Sequence, residues 1–329
     1  MKTENNKLGC VVQGNFRQGT EVILQTMAHA FDYVCFSTWE DDVALPSSLP
    51  RNIEVLRNKR PLAQGYTNRN LQRVSTIAGI RACKANGCNY VLKWRSDMLP
   101  TRLNLHLLLT RAHFDIPAFL PSRLVTASTR IRSVAPDWFS SLPDLFHFGH
   151  VDLLEMLWGD DGFDFSQMFN PPPNMILDIG EEWTARVRGE GAYFCAEQEL
   201  YAWLKYRLQK RQHVNLSHRE MARLCVYPVS YQDLGICWLG PRFRISPLSI
   251  KFRPFNAGFP RAWWSAKDWR EGTAPIFKRE SIDQWNLISY GETLLNMPYL
   301  LIQVLLQTFN YLRFKKAEKR KRRADEFAQ

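Results

Sequence analysis

Short apolar blocks separated by polar residues recur through the first hundred residues of the chain. Four of these blocks cover residues 8–14 (LGCVVQG), 33–41 (YVCFSTWED), 52–56 (NIEVL) and 90–94 (YVLKW). Each is only a few residues long, is rich in β-branched or aromatic side chains, and is followed by polar or turn-forming residues. This pattern predicts four buried strands.

Two longer segments between these blocks have apolar residues at helical spacing. They cover residues 21–31 and 71–85, and Thr20 and Asn70 stand where N-caps belong. Asn86-Gly87 follows the second segment and predicts its C-terminal stop. Each segment is therefore predicted to be a helix that connects two strands.

Strands that alternate with helices through short connections predict an α/β fold, a mostly parallel twisted sheet flanked by helices. The second half of the chain is less regular. Residues 144–159 read as an extended segment leading into a helix and residues 191–210 as a helix, whereas 225–275 are rich in Pro, Gly and Trp. The expected C-terminal half is therefore helical and irregular, and it ends in an amphipathic basic helix.

Polar side chains follow every predicted strand, at the edge where an open parallel sheet binds its ligands. They are Gln13, Gly14, Asn15 and Arg17 after the first strand, Thr38, Trp39 and Glu40 at the second, Arg57 and Asn58 after the third, Asn70 and Arg73 at the next helix, and Lys93, Arg95, Ser96 and Asp97 at the fourth. This convergence predicts a binding site. The alternative is that polar loops simply follow apolar strands, as they do in most proteins.

The segment YVLKWRSDM, residues 90–98, carries the most informative charges. Alternation along a strand puts Lys93, Arg95 and Asp97 on one face. A carboxylate at a strand end suits a hard divalent cation such as Mn²⁺ or Mg²⁺, and the two cations suit phosphate. A structural Arg–Asp ion pair is the alternative. No glycine-rich phosphate loop accompanies these strands, which disfavours a dehydrogenase or an ATPase.

Several segments together resemble the WavE lipopolysaccharide-synthesis family. They are VVQGNFRQGT (11–20), FSTWED (36–41), NRNLQRVSTIAGI (68–80), YVLKWRSDM (90–98) and PDWFSSLPDLFHFGHVDLLEMLW (136–158). The resemblance covers roughly the first 200 residues and implies a GT-A-like glycosyltransferase. Such an enzyme moves a sugar from a nucleotide-sugar donor onto a lipid-linked or lipopolysaccharide-core acceptor.

The resemblance also implies roles for particular residues. The polar residues at the strand ends and on the following helix would bind the donor, and Asp97 would take the place of the metal-binding acidic motif. This chain has Arg95 where that motif has its first aspartate, which puts metal dependence in doubt. Inverting transfer also needs a general base, and the candidates are Glu197, Asp152 and Asp137. Glu197 opens a predicted helix, so stabilisation of the helix N-terminus is its alternative role.

Composition and charge place the protein at a membrane surface. The net charge is +11, the chain has seven scattered cysteines, and its polar start lacks the apolar core of a secretory signal. Residues 297–312 are apolar on most of one helical surface, and eight basic and three acidic residues follow from Arg313. These features predict a cytoplasmic protein bound to anionic lipid at the inner leaflet of a membrane, and the resemblance implies that this is the inner face of the bacterial cytoplasmic membrane. A core-packed terminal helix with a solvated tail is the alternative.

Three regions follow from these patterns together with the resemblance. Residues 1–160 are predicted to bind the nucleotide-sugar, 161–290 to form the acceptor side of the same domain, and 291–329 to associate with the membrane. Two other functions fit part of the pattern. One is a different metal-dependent nucleotide enzyme, such as a nucleotidyltransferase. The other is a basic nucleic-acid-binding protein, which the terminal position of the basic run disfavours.

Overall fold

The computed structural model describes the first hundred residues almost completely and the rest of the chain in parts. The described residues are 6–17, 19–42, 49–64, 68–100, 124–127, 144–160, 196–212, 226–229 and 236–238, with single positions at 298, 302, 305 and 316. Asp137 and most of the predicted acceptor side, 161–290, lie outside the described residues.

Nine strands and four long helices are described. The strands are β1 (Leu8–Gln13), β2 (Tyr33–Trp39), β3 (Ile53–Asn58), β4 (Tyr90–Arg95), β5 (Met98–Pro100), β6 (Leu124–Ala127), β7 (His147–His150), β8 (Val226–Val229) and β9 (Ile236–Trp238). The helices are α1 (Thr20–Ala30), α2 (Arg69–Ala85), α3 (Val151–Trp158) and α4 (Ala196–Gln212).

The main sheet of the described residues has seven strands in the order β3-β2-β1-β4-β7-β6-β8. The pairs among β3, β2, β1 and β4 are parallel, and so is the pair β6 with β8. Strand β7 is antiparallel to both of its neighbours, and β5 pairs with β9 in a separate antiparallel ribbon. The prediction of an α/β fold with a mostly parallel sheet and flanking helices is therefore confirmed.

The two faces of the sheet bury two different apolar cores, because side chains alternate along each strand. On one face, Cys10 and Val12 of β1 pack in a core with Val22 and Ile23 of α1. On the other face, Val11 belongs to the core that contains Ile77 and Ile80 of α2 together with residues of α3 and α4. Helices α1 and α2 thus cover opposite faces, and the sheet is wrapped on both sides.

Both helices start earlier than the sequence predicts, α1 by one residue and α2 by two. Helix α1 begins at Thr20 after Gly19, whose φ of 83° is left-handed, and α2 begins at Arg69 after Asn68, with φ 63°. Thr20 does not cap the helix, because its hydroxyl accepts a hydrogen bond from the Arg17 N–H at 2.9 Å. The predicted stop at Asn86-Gly87 is confirmed.

The C-terminal segment that was predicted to be an amphipathic helix is described at single positions only. Residues 298, 302, 305 and 316 are helical and exposed, with Ile302 54% and Leu305 43% exposed. No helix among the described residues is long and apolar enough to cross a membrane.

Gly79 sets how closely α2 approaches β1. A Cβ atom on Gly79 would overlap the Cγ1 methyl of Val11 in β1. Both residues are buried in the middle of their elements, so neither backbone can move without disturbing the core. The absence of a side chain at residue 79 is therefore a packing requirement.

We predict that Gly79→Ala destabilises the protein by about 1–3 kcal/mol, the usual range for an overpacked core. The free energy of unfolding would be measured by urea titration for Gly79→Ala, Val11→Ala and the double variant. The Val11 change removes the overlapping methyl groups, so the double variant should lose less stability than the sum of the two single losses. Simple additivity would show that the two positions do not clash.

Candidate functional site

The order in which the chain adds strands to the sheet reverses between β1 and β4. From β1 it proceeds to β2 and β3 on one side, and it then returns to β4 on the other side of β1. The carboxyl ends of β1 and β4 therefore flank the topological switch point, where open α/β sheets bind ligands. Gln13 pairs with Arg95 across this point.

Hydrogen bonds lock the loop after β1 to the turn after β4. The Ser96 N–H donates to the Gln13 carbonyl at 2.9 Å, and the Ser96 hydroxyl donates to the Asn15 carbonyl at 2.8 Å. Gly14 has φ 125°, and a Cβ atom there would lie 2.6 Å from the Ser96 Oγ. Glycine is thus required at position 14 both by its backbone conformation and by the closeness of Ser96.

Thr20 connects the same two loops and thereby positions Arg17. Its hydroxyl donates to the Ser96 carbonyl at 3.1 Å and accepts from the Arg17 N–H at 2.9 Å. The Arg17 side chain reaches Asp97, with Nη1 3.4 Å from Oδ2, and it remains 40% exposed. A partly exposed cation is consequently held next to a buried carboxylate.

Asp97 accepts hydrogen bonds from two arginines. Arg95 donates from Nε to Oδ1 at 2.9 Å and from Nη2 to Oδ2 at 2.9 Å, and Arg17 donates to Oδ2. Burial acts to raise the pKa of Asp97, but the hydrogen bonds and charge of Arg95 and the charge of Arg17 outweigh it. The pKa of Asp97 is therefore below its usual value, and the residue is a carboxylate at neutral pH.

A second carboxylate, Asp144, completes the charged cluster from the side of β7. Its Oδ2 lies 3.9 Å from the Nη1 of Arg95. Its backbone carbonyl accepts a hydrogen bond from the Lys93 ammonium, which also lies 5.0 Å from the centre of the Trp158 ring. We name Arg17, Lys93, Arg95, Asp97 and Asp144 the strand-end charge cluster. Three cations and two carboxylates leave it with one net positive charge.

Gln13 adds a buried acceptor next to this cluster. Its side chain projects on the same face of the sheet as that of Arg95, because the two residues are paired in register on parallel strands. The residue is 9% exposed, and its Oε1 atom accepts no hydrogen bond from the part of the chain that the structure describes. A buried acceptor without a donor is costly, which makes this atom suited to receive an N–H or O–H from a ligand.

The second strand end is held by Asp42, a residue that the sequence prediction did not include. Its carboxylate accepts from the Phe16 N–H at 2.6 Å and from the Thr38 hydroxyl. Trp39 is buried, whereas Glu40 is exposed. Thr38 thus holds Asp42 in place, and Trp39 packs in the interior. The Glu40 carboxylate faces solvent at the same edge of the sheet.

Arg73, which was predicted to bind the donor, instead contacts the C-terminus of α3. Arg73 is buried and donates from Nη1 to the carbonyls of Trp158 at 3.3 Å and Gly159 at 2.6 Å. Arg207 of α4 donates to the same Gly159 carbonyl at 2.7 Å. The two guanidinium groups satisfy carbonyls at the C-terminus of α3, where positive charge is favoured.

Asn70 ties the start of α2 to the loop after β3. Its side-chain amide donates to the Ala63 carbonyl at 3.0 Å, and its backbone N–H donates to the Gln64 carbonyl at 3.1 Å. The residue is fully buried. These two hydrogen bonds of Asn70 hold α2 in place at the carboxyl edge of the sheet.

The candidate bases are spread over the molecule. Asp152 lies in the first turn of α3, which begins where His150 pairs with Tyr90, at the amino end of β4. There its carboxylate pairs with Lys84 at 2.9 Å. About 16 Å of strand separates this edge from Arg95. Glu197 lies in the first turn of α4, and Asp137 lies outside the described residues.

The described residues do not by themselves form a metal site. No group of three or more His, Cys, Asp or Glu side chains among them could hold an ion. Both oxygens of Asp97 are engaged by arginines. Direct binding of Mn²⁺ or Mg²⁺ to Asp97 would therefore require at least one guanidinium group to move, and the residues present do not fit a cation held by the protein alone.

No protein-family model and no curated protein matches this chain.

We predict that Asp97→Asn lowers stability by about 3 kcal/mol at neutral pH, near the lower end for breaking a buried pair because Arg17 is partly exposed. The folded pKa of Asp97 is depressed, so the stabilisation is present above the unfolded pKa of about 3.9 and is lost as pH falls through the folded value. The difference in unfolding free energy between wild type and variant should thus shrink below about pH 4. Urea titrations from pH 3 to 7 measure it.

Asp41→Asn is the matched control for this experiment. Asp41 is also bound by an arginine, with Arg60 Nε 2.8 Å from its Oδ2, but its side chain is 63% exposed. Solvent screening makes such a pair weak. If Asp41→Asn lowered the free energy of unfolding as much as Asp97→Asn, with the same pH profile, burial could not be the reason why the Asp97 pair is the stronger one.

Proposed function

We propose that the protein is a glycosyltransferase that moves a sugar from a nucleotide-sugar donor onto a lipopolysaccharide core or related bacterial surface glycan. One observation carries the proposal: the K-x-R-S-D segment of residues 93–97 ends at the switch point of the sheet, where Arg95 and Asp97 meet Arg17. This segment is one of those that resemble the WavE lipopolysaccharide-synthesis family, and that resemblance implies the reaction class.

The electrostatics of the strand-end charge cluster support a diphosphate ligand. Arg17 is partly exposed at the carboxyl edge, and its pair with Asp97 is long, at 3.4 Å. A guanidinium group can exchange one carboxylate oxygen for phosphate oxygens with little movement. Arg17 and Arg95 would then meet the charge of the donor diphosphate and stabilise the nucleoside diphosphate as it leaves.

The order of the strands also supports a GT-A-like domain. A parallel half that contains the switch point is continued by the single antiparallel strand β7 and accompanied by the short ribbon of β5 and β9. Donor binding at the carboxyl ends of β1 and β4 would leave the far half of the sheet and the second half of the chain for the acceptor. This division is the one predicted from the sequence, and most of residues 161–290 lie outside the described residues.

The general base of an inverting transfer is proposed to be Glu197 or Asp137. Asp152 is less suited to this role, because it lies at the amino-terminal edge of the sheet and pairs with Lys84. A base must come within hydrogen-bonding distance of the acceptor hydroxyl, either directly or through one water molecule. A retaining transfer would not need such a base.

We predict that Asp97→Ala abolishes sugar transfer while the protein stays folded. Without the carboxylate, Arg95 and Arg17 lose the acceptor that holds them at the switch point, so the donor diphosphate is no longer aligned. Transfer is measured as nucleoside diphosphate released, with circular dichroism as the test of folding. Asp41→Ala, which removes an exposed arginine-bound carboxylate, should keep wild-type turnover.

Wild-type turnover by a folded Asp97→Ala variant would contradict the assignment of the site. Release of pyrophosphate in place of nucleoside diphosphate would instead indicate a nucleotidyltransferase. Binding of nucleic acid with a steep salt dependence, retained after deletion of residues 313–329, would favour the nucleic-acid-binding alternative.

Donor binding can be measured independently of turnover. We predict that thermal shifts with a panel of nucleotide-sugars identify a stabilising donor, and that Arg17→Ala reduces the shift to near zero because it removes one diphosphate cation. Each donor is tested with Mn²⁺ and with chelator. A shift that survives chelation shows that the arginines suffice, a shift only with Mn²⁺ shows that a cation is required, and no shift with any donor would overturn the proposed function.

The C-terminal segment is proposed to hold the enzyme at the inner face of the cytoplasmic membrane. Ile302 and Leu305 are exposed, helical and three residues apart, so they share one face. Eight basic residues follow from Arg313. Apolar insertion combined with attraction to anionic lipid is the usual basis of such peripheral binding.

We predict that the protein co-sediments with vesicles containing phosphatidylglycerol and that Ile302→Asp/Leu305→Asp reduces this binding at least tenfold, because both apolar contacts are lost. Leu62→Asp is the control, since Leu62 is 94% exposed but lies in the loop after β3. Unchanged binding by the double variant would contradict insertion of this helix.

A further inference from the structure

The C-terminus of α2 brings two cysteines together at the edge of the sheet opposite the strand-end charge cluster. The Cys88 N–H donates to the Cys83 carbonyl at 3.0 Å, and the Gly87 N–H donates to the Lys84 carbonyl at 2.9 Å. Gly87 has a φ of 75°. These are the hydrogen bonds and the left-handed glycine of a Schellman motif, in which the side chains at the positions of Cys83 and Cys88 characteristically meet.

Gly9 of β1 leaves the space in which the two sulfur atoms converge. A Cβ atom on Gly9 would lie 2.9 Å from the Sγ of Cys88 and 3.1 Å from the Sγ of Cys83. Both sulfurs therefore lie over the same backbone atom. The hydrogen bonds of the Schellman motif fix the backbone that carries the two side chains, so rotation about their Cα–Cβ bonds is the movement that changes the distance between the sulfurs.

The surroundings make the two thiols unequal. The adjacent Cys83 thiol acts to lower the pKa of Cys88 and outweighs the effect of burial, and the Lys7 cation lowers this pKa further. The adjacent Cys88 thiol and burial both raise the pKa of Cys83. Cys88 thus supplies the thiolate, which is the reactive form of cysteine.

The pair differs from the other described thiols in its place in the fold. Cys88 is 3% exposed and Cys83 has no exposed surface, as is also true of Cys10 and Cys35. Asn86, Gly87 and Asn89, which surround Cys88 in the chain, are all exposed, whereas Cys10 and Cys35 lie on strands inside the sheet. Local opening of the turn after α2 is therefore the route by which a small reagent reaches Cys88.

We propose that Cys83 and Cys88 are a redox modification site, a dithiol that a small-molecule disulfide such as oxidised glutathione converts into an intramolecular disulfide. The Cys88 thiolate attacks one sulfur of oxidised glutathione, forms a mixed disulfide and releases one glutathione thiolate. Cys83 then loses its proton and attacks the Cys88 sulfur, which releases the second glutathione. The protein gives up two electrons and two protons, and one disulfide is reduced to two thiols.

Peptide mapping of the folded full-length protein tests this site. Trypsin cleaves after Arg81, Lys84 and Lys93, so the two cysteines fall on separate peptides, 82–84 and 85–93. After incubation with oxidised glutathione and alkylation of free thiols, we expect these two peptides to be joined and to separate on reduction. The peptide that contains Cys10, residues 8–17, is the internal control. Because Cys10 is buried, it should be alkylated only if the protein is unfolded first.

Single variants identify the order of the two steps. In Cys83→Ser, Cys88 should accumulate as a mixed disulfide with glutathione, because the resolving thiol is missing. In Cys88→Ser, Cys83 should stay reduced. Two free thiols at residues 83 and 88 in the folded wild-type protein after this treatment, or a link from either to Cys10 or Cys35, would overturn the proposal. Neither result depends on sugar transfer.

Discussion

The pairing of β1 with β4 is the constraint on which the site depends. Its register puts Gln13 beside Arg95 and continues past the strand ends through the Ser96 N–H bond to the Gln13 carbonyl. Gly14 permits this close approach, and Thr20 then holds both loops. Arg17 and Asp97, which are 80 residues apart in the chain, meet as a consequence. If β4 slipped by one residue relative to β1, the side chains of Arg95 and Gln13 would lie on opposite faces of the sheet.

The charges at this edge are paired in a way that leaves them able to exchange partners. Asp97 is buried and its hydrogen bonds to Arg95 are short, so that pair is rigid. Arg17 is partly exposed and its contact to the same carboxylate is longer. The carboxylate thus fixes one guanidinium group and only tethers the other. A buried anion that orients cations before a ligand arrives reduces the reorganisation needed when phosphate binds.

The convergence of the strand ends could be predicted from the sequence, because apolar blocks and helical spacing define the strands and their connections. The partners of individual side chains could not. Lys93 shares a face with Arg95, as alternation requires, but it contacts the Asp144 carbonyl and the Trp158 ring. Those residues are 51 and 65 positions away, and no local pattern specifies them. Arg73 likewise contacts the end of α3, because the packing of α2 against α3 decides where its side chain goes.

The two ends of α2 differ in the kind of constraint that they impose. Its start, at the carboxyl edge, is anchored through Asn70 to the loop after β3. Its end, at the amino edge, is closed by the Schellman motif and by the pair of Lys84 with Asp152. Gly79 holds the middle against β1. Because all three contacts fix one rigid element, a covalent bond between Cys83 and Cys88 would tighten the end of α2 that lies farthest from Asp97 without adding a group to the switch point. The redox site and the charge cluster are therefore separable by mutation, even though both depend on β1: Gly9 leaves room for the thiols at one end of the strand, and Gly14 leaves room for Ser96 at the other.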